Sequence, residues 1–163
     1  MAASCMFLVG VAFYKIAQTG DSPNSTVAKS ETTQNRSSPA VSLARDYLKG
    51  MEAGNMDALN ALFLPNERSS VLENASDEGS WEHYRDHHLA PELKESPDFK
   101  FTIEKEAEDR FGSTIVVRHL GRFTVKVGEE VRPFRAAVTY VIVDETGTVK
   151  IAHLHWSSRA ERK

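Results

Sequence analysis

An α+β fold is what this sequence predicts, with helices first and an antiparallel sheet after them. Two observations carry that expectation. Apolar residues recur at helical spacing from residue 39 to about 93, and from Asp98 onward the period drops to two. A third observation sets the topology: four strand-like runs follow one another with only short turns between them, and such strands pair antiparallel.

The length of 163 residues suits one domain, here residues 39–163, and 40% apolar content is enough for a core. A net charge of −3 and the lack of a long basic run argue against a nucleic-acid partner. The single cysteine, Cys5, excludes a disulfide framework within one chain and a cysteine-built metal site.

The N-terminal part differs in kind. Residues 1–19 hold the apolar run "SCMFLVGVAFYKIA", near the length of a signal-peptide core, and are expected to be an export signal or short anchor. Residues 20–38 are rich in Ser, Thr and Asn and read as a flexible polar linker. Together they predict an exported or membrane-anchored protein, touching a membrane only through this segment. Asn24, Asn35 and Asn74 each begin a glycosylation-type triplet, a pattern common by chance.

Within the domain, "PAVSLARDYLKGME" places Val41, Ala44, Leu48 and Met51 on one helical face, and Gly54-Asn55 stops the helix. A second helix is expected over 56–64, with Pro65 beyond its end. "ERSSVLENAS" is a short strand candidate, and 77–80 reads as a turn. Ser80 is the expected N-cap of a third helix, "WEHYRDHHLAPEL", with Trp81, Tyr84 and His88 on its inner side.

In the first strand, "DFKFTIEKEAED", Phe99, Phe101 and Ile103 share one face, while Glu104, Glu106 and Glu108 take the polar one. "STIVVRHLGRFTVKV" follows, then a turn at 128–130 and "VRPFRAAVTYVIVDE". The latter is apolar on both sides, with Val138, Tyr140 and Ile142 on one and Ala137, Val141 and Val143 on the other. Since a sheet covered on one face should be polar on the other, a homodimer through the sheet is expected. "TVKIAHLHWSSR" is the last strand, in which strict alternation puts His153 and His155 together with Val149 and Ile151.

Three stretches carry a resemblance: "LARDYLKGMEAGNMDALNALFLP", "EGSWEHYRDHHLAPEL" and "GTVKIAHLHWSSR". The chain from residue 39 to about 159 resembles the nuclear transport factor 2-like superfamily, in particular its SnoaL-like branch, and is similar to the association domain of calcium/calmodulin-dependent kinase II. The resemblance implies a cone-shaped, curved antiparallel sheet wrapped around N-terminal helices, a cystatin-like fold, with a pocket inside. It implies no single activity, because this fold serves isomerases, dehydratases and assembly modules alike. No carboxylate base or His–Asp dyad of the enzymatic members transfers to an identifiable position, so the catalytic residues are left unknown.

The candidate ligand-binding residues are Tyr84, His88, Arg118, His119, Tyr140, His153 and His155. Their ligand is expected to be a small organic molecule, acidic if a guanidinium such as Arg118 faces it. For Arg118, Arg122 and Arg135 the competing expectation is an ion pair with the glutamates of the neighbouring strand. His119 lies among Val117, Phe123 and Val125 and is expected to be buried, and Gly121 marks a possible bulge. His83 and His87 have the spacing of a helical metal pair but read as a solvated face, so no metal or cofactor is expected. A binding domain leads the functional readings. A lyase or isomerase with a histidine base follows, and an assembly scaffold comes third.

Overall fold

The protein is described by a computed structural model over residues 37–127 and 130–161. The expected export segment, nearly all of the linker, and two residues of the 128–130 turn lie outside the described residues. Among the described residues no helix is long and apolar enough to cross a membrane.

Helix α1 (Pro39–Glu52) begins where the Ser38 hydroxyl accepts from the Val41 N–H at 3.1 Å, with Pro39 in the first turn. It buries Val41, Ala44, Tyr47, Leu48 and Met51 and ends before Gly54, whose φ of 59° suits the turn. Helix α2 (Met56–Asn60) is shorter than expected. The chain leaves the helix early because residues 62–64 pair with the last strand: Leu64 N–H donates to the Ile151 carbonyl at 3.0 Å, and Ile151 N–H donates to that of Leu62 at 2.9 Å.

Strand β1 (Ser70–Glu73) confirms the short strand candidate, and β2 (Ser76–Gly79) occupies the expected turn. Asn74 and Ala75 make the hairpin between them with φ of 47° and 73°. Ser80 caps α3 (Trp81–Tyr84) through the His83 N–H at 3.2 Å. The third helix is not continuous: a π-turn spans Arg85–Leu89 before α4 (Ala90–Glu95). Pro91 explains the break, since it lacks the N–H that an α-helical bond to His87 would need.

Strands β3 (Phe101–Phe111), β4 (Thr114–Val127), β5 (Glu130–Glu145) and β6 (Thr148–Ala160) complete a six-stranded sheet of order β2-β1-β6-β5-β4-β3. Among the pairings of these six strands, β1–β6 is parallel and the others are antiparallel. The helices cover one face, and the core between them is aromatic. Phe63 stacks on Trp81 with ring centroids 3.9 Å apart, and Tyr47 meets Phe63, Trp81 and Tyr140 edge-on.

Two irregularities overturn the strict alternation expected from the sequence. In β3 the register slips between Ile103 and Lys105, so Ile103 faces Gly121 while Lys105 faces Leu120. Glu104 is the extra residue, and beyond it the parity reverses. Glu106 therefore pairs with His119 on the inner face and Glu108 with Val117. In β6 Ala152 is extra, since Ile142 pairs with Ile151 and Val141 with His153. Val149 and Ile151 face inward, but so do Leu154 and Trp156, and the two histidines are turned to the outer face.

The β3 bulge sits against Gly121 for a steric reason. A Cβ there would lie 2.3 Å from the Thr102 carbonyl oxygen and 2.4 Å from the Phe101 ring. Gly121→Ala is expected to lower stability by about 2 kcal/mol, read as a lower urea midpoint at unchanged slope. An unchanged midpoint would show that β3 can move away from β4 at no cost.

Candidate functional site

A cavity of about 520 Å³ opens between the inner face of the sheet, α1 and the π-turn–α4 segment. Phe99, Phe123, Phe134 and Trp156 form its aromatic wall, and Met51, Leu89 and Leu93 close it from the helices. The aromatic rings pack on one another, with Phe101 and Phe123 each 5.6 Å from Trp156 between centroids. This is the shape and lining expected of a small-molecule site.

One part of the lining is polar. Glu73, the last residue of β1, is opposite Trp156 and so faces the cavity. The Tyr84 hydroxyl donates to its Oε2 at 2.7 Å. His88 lies beside them: its ring is 5.2 Å from that of Tyr84, and its Nε2 is 3.7 Å from the same Glu73 oxygen. The π-turn brings His88 to this position, between Glu78 at 3.2 Å from Nδ1 and Glu92 at 3.1 Å from Nε2.

The environment raises all three groups, for different reasons. Burial pushes the Glu73 carboxyl up, and neither the Tyr84 hydrogen bond nor the His88 charge brings it back. For His88 burial works downward, but the hydrogen bond to Glu78 and the charges of Glu73, Glu92 and Glu78 outweigh it and leave the imidazole raised. Burial raises the Tyr84 phenol as well.

The expected site residues are thus divided by the fold. Tyr84 lines the cavity, and His88 stands beside Tyr84 and Glu73 without being part of the lining. His119 and Tyr140 are fully buried beside it, 5.3 Å apart between ring centroids. His119 Nε2 is 3.0 Å from Glu106 Oε2, and Arg45 grips the same carboxylate through two bonds of 2.8 and 2.7 Å. Arg45 holds the Glu106 carboxyl low, so Nε2 carries the proton and donates; burial keeps the His119 imidazole low. His119 Nδ1 and the hydroxyls of Tyr47 and Tyr140 are buried without a partner among the described residues.

Arg118 is on the outer face and paired with Asp109. Arg122 and Arg135 share Glu104, as the ion-pair expectation had it. With Arg118 turned away, the reason for an acidic ligand falls. His153 and His155 are on the outer face too, with His153 Nδ1 2.8 Å from the Ser70 hydroxyl. His83 and His87 stand exposed on the helix.

Sequence reasoning missed Glu73 and Glu106. Glu73 ends a strand of only four residues, and Glu106 reaches the inner face through a bulge. A usable signal for Glu106 was present in Gly121, whose bare backbone marks the place where the partner strand slips.

The sheet, its covering helices and the enclosed cavity define a cone-shaped α+β protein of the nuclear transport factor 2-like kind. Residues 41–161 match the model of the SnoaL-like domain, and the chain belongs to that family. No curated protein matches the sequence. Among solved structures, a nuclear transport factor 2-like superfamily protein from Salmonella enterica aligns with TM-score 0.66 and 14% identity, over 76% of this chain and 91% of that one. The CaMKII hub of S. rosetta aligns with TM-score 0.64 and 19% identity, over 76% and 99%. A protein from Shewanella frigidimarina, provisionally named a ketosteroid isomerase, gives TM-score 0.64 and 17% identity, over 74% and 95%. At such identities the likeness is one of fold.

The His88 environment has a direct test. Its folded pKa is expected above 6.5. The linked stability is then full below the unfolded value and is lost as pH rises through the folded one. A two-dimensional NMR titration should show the His88 ring signals moving late, and Glu78→Gln should bring the midpoint down. A His88 midpoint at or below 6.5 would contradict the arrangement.

Proposed function

We propose that this SnoaL-like domain binds a small, largely apolar molecule in its aromatic cavity and holds the polar end of that molecule against Glu73. One observation carries the reading: the Glu73 carboxylate, 12% exposed, stands at the wall of an aromatic-lined pocket, where a specific partner would offset its desolvation. Tyr84 fixes one oxygen, and the other has no partner among the described residues. Glu92 and Glu95 also line the cavity, against Lys126 alone. Neutral or cationic ligands that donate a hydrogen bond fit this lining better than acids do.

The same carboxylate favours a second reading, proton transfer. A glutamate with a raised pKa at the wall of an aromatic-lined pocket is suited to accept a proton from a bound substrate, with Tyr84 holding its orientation and a protonated His88 offsetting developing negative charge. The likeness to the Shewanella protein fits this reading but does not assign a reaction. The histidine base expected from the sequence gives way here to a glutamate base.

Binding can be measured with 2-naphthol, an apolar fluorescent phenol that fits the cavity and donates one hydrogen bond. Saturable binding is expected, and Glu73→Gln should weaken it about tenfold through loss of a charge-assisted hydrogen bond. Glu73→Gln should leave the melting temperature equal or higher, since it removes a buried charge. Equal affinity in the variant, or no saturable binding, would overturn the role given to Glu73.

The outer face supports self-association through the sheet. Leu120, 44% exposed, stands among Ala137, Thr139 and Val141, with Arg118–Asp109 and Arg122–Glu104 pairs around them. An apolar centre with a charged rim is how stable interfaces are built. Sedimentation equilibrium should find a dimer at micromolar concentration, and Leu120→Glu should give a folded monomer. A monomeric wild-type chain would end this reading.

A further inference from the structure

We infer that the carboxylate end of the cavity is a divalent-metal site, with Glu73, His88 and Glu92 as protein ligands and the chemistry of a zinc-class ion. One donor atom from each of the three lies within 4.8 Å of the other two. His88 Nε2 is 3.7 Å from Glu73 Oε2 and 3.1 Å from Glu92 Oε1. Two ligands about 2.0–2.2 Å from one zinc ion, at the tetrahedral angle, stand about 3.4 Å apart. The two observed separations bracket that value, and the third pair of donors, Glu73 and Glu92, lies within 4.8 Å and closes by side-chain rotation.

The donors are also oriented from behind. Nδ1 of His88 faces Glu78 Oε2 at 3.2 Å, which keeps a proton on Nδ1; a metal ion would displace the Nε2 proton that faces Glu92 in the metal-free protein and take the lone pair it leaves. Tyr84 donates to Glu73 in the same supporting sense. Such outer partners are what metal-ligating imidazoles and carboxylates characteristically have.

Charge balance points the same way. Glu73, Glu78 and Glu92 surround one imidazole, and none of the three has a Lys or Arg ion pair among the described residues. Glu73 and His88 are only 12% and 28% exposed, so solvent screening of this negative cluster is incomplete. A bound dication would supply the missing positive charge. One imidazole with two carboxylates suits zinc, cobalt, manganese or ferrous iron rather than magnesium or calcium, which prefer an all-oxygen shell. A three-ligand site leaves open positions, and Glu73 lines the cavity, so an oxygen of a bound molecule could complete the shell. Completion of the shell by a bound molecule rests on the ligand-binding reading; the metal site itself does not.

Cobalt is the probe of choice because its visible absorption reports coordination without any organic ligand. The full chain, purified without a histidine tag and stripped with chelator, should take up one Co²⁺ per chain with a saturating visible band that Zn²⁺ displaces and excess Mg²⁺ does not. His88→Ala and Glu92→Gln should each weaken uptake at least tenfold, with circular dichroism and melting temperature unchanged. Glu92 is 60% exposed, so Glu92→Gln carries the test if the His88 variant fails to fold. Glu78→Gln, which touches no metal, should weaken uptake about tenfold by freeing the imidazole. Absence of a saturating band, or a band unaffected by both ligand variants, overturns the site; the second result would move the ion to another histidine group. Neither result bears on 2-naphthol binding to metal-free protein, so the two readings fail separately.

Discussion

Register is the constraint on which the rest of this structure depends. A β-strand has only two faces, and inserting one residue exchanges them for every position that follows. Glu104 and Ala152 are two such insertions. The first turns Glu106 and Glu108 toward α1, where Arg45 and Ser38 meet them and tie the outermost strand to the first helix. The second brings Leu154 and Trp156 inward behind Ile151. Without it Trp156 would leave the cavity wall and His155 would replace it, giving a wetter pocket. A single extra residue in β6 thus decides between an aromatic wall and an imidazole one.

The burial of charge that follows is uneven across the inner face. At the α1 end, Glu106 has a bidentate arginine and a histidine, and its carboxyl is held low. At the cavity end, Glu73 has a phenol and a nearby imidazole but no guanidinium, and its carboxyl is pushed up. The two glutamates lie on one sheet face under one set of helices, yet one is satisfied within the protein and the other is not. Structural carboxylates are normally of the first kind. The second kind is enriched at functional sites, which is why the proposed ligand is set against Glu73.

Helical and strand periods made most of the architecture legible: α1 with its Gly54-Asn55 stop, the Ser80 cap, and the sequence of four long strands follow from local pattern. The β1–β2 hairpin was only half visible, because a strand of Ser, Asp, Glu and Gly has no apolar alternation to show. The early end of α2 was not visible at all, since residues 62–64 trade a helical bond for pairing with a strand almost ninety residues later. For the site, Tyr84 and His88 were legible because a helical face is robust to local slips. His153, His155 and Glu106 were not, because each lies beyond a bulge and alternation fails there completely. Glu73 failed for a different reason: its strand is too short for a face to be assigned.

The outer face shows what the bulge in β6 moves out of the cavity. His153 and His155 stand next to Thr139 and Val141 in the register, half-buried within a surface that also carries Leu120 and Ala137. Imidazoles tolerate both water and apolar neighbours. They suit a surface open to a second copy. The contrast is physical: the inner face is closed by helices and leaves Glu73 without a Lys or Arg partner among the described residues, and the outer face is left open with little charge at its centre. A small ligand and a second chain would use opposite sides of the same sheet. Occupying one need not compete with the other, although β5 and β6 are common to both.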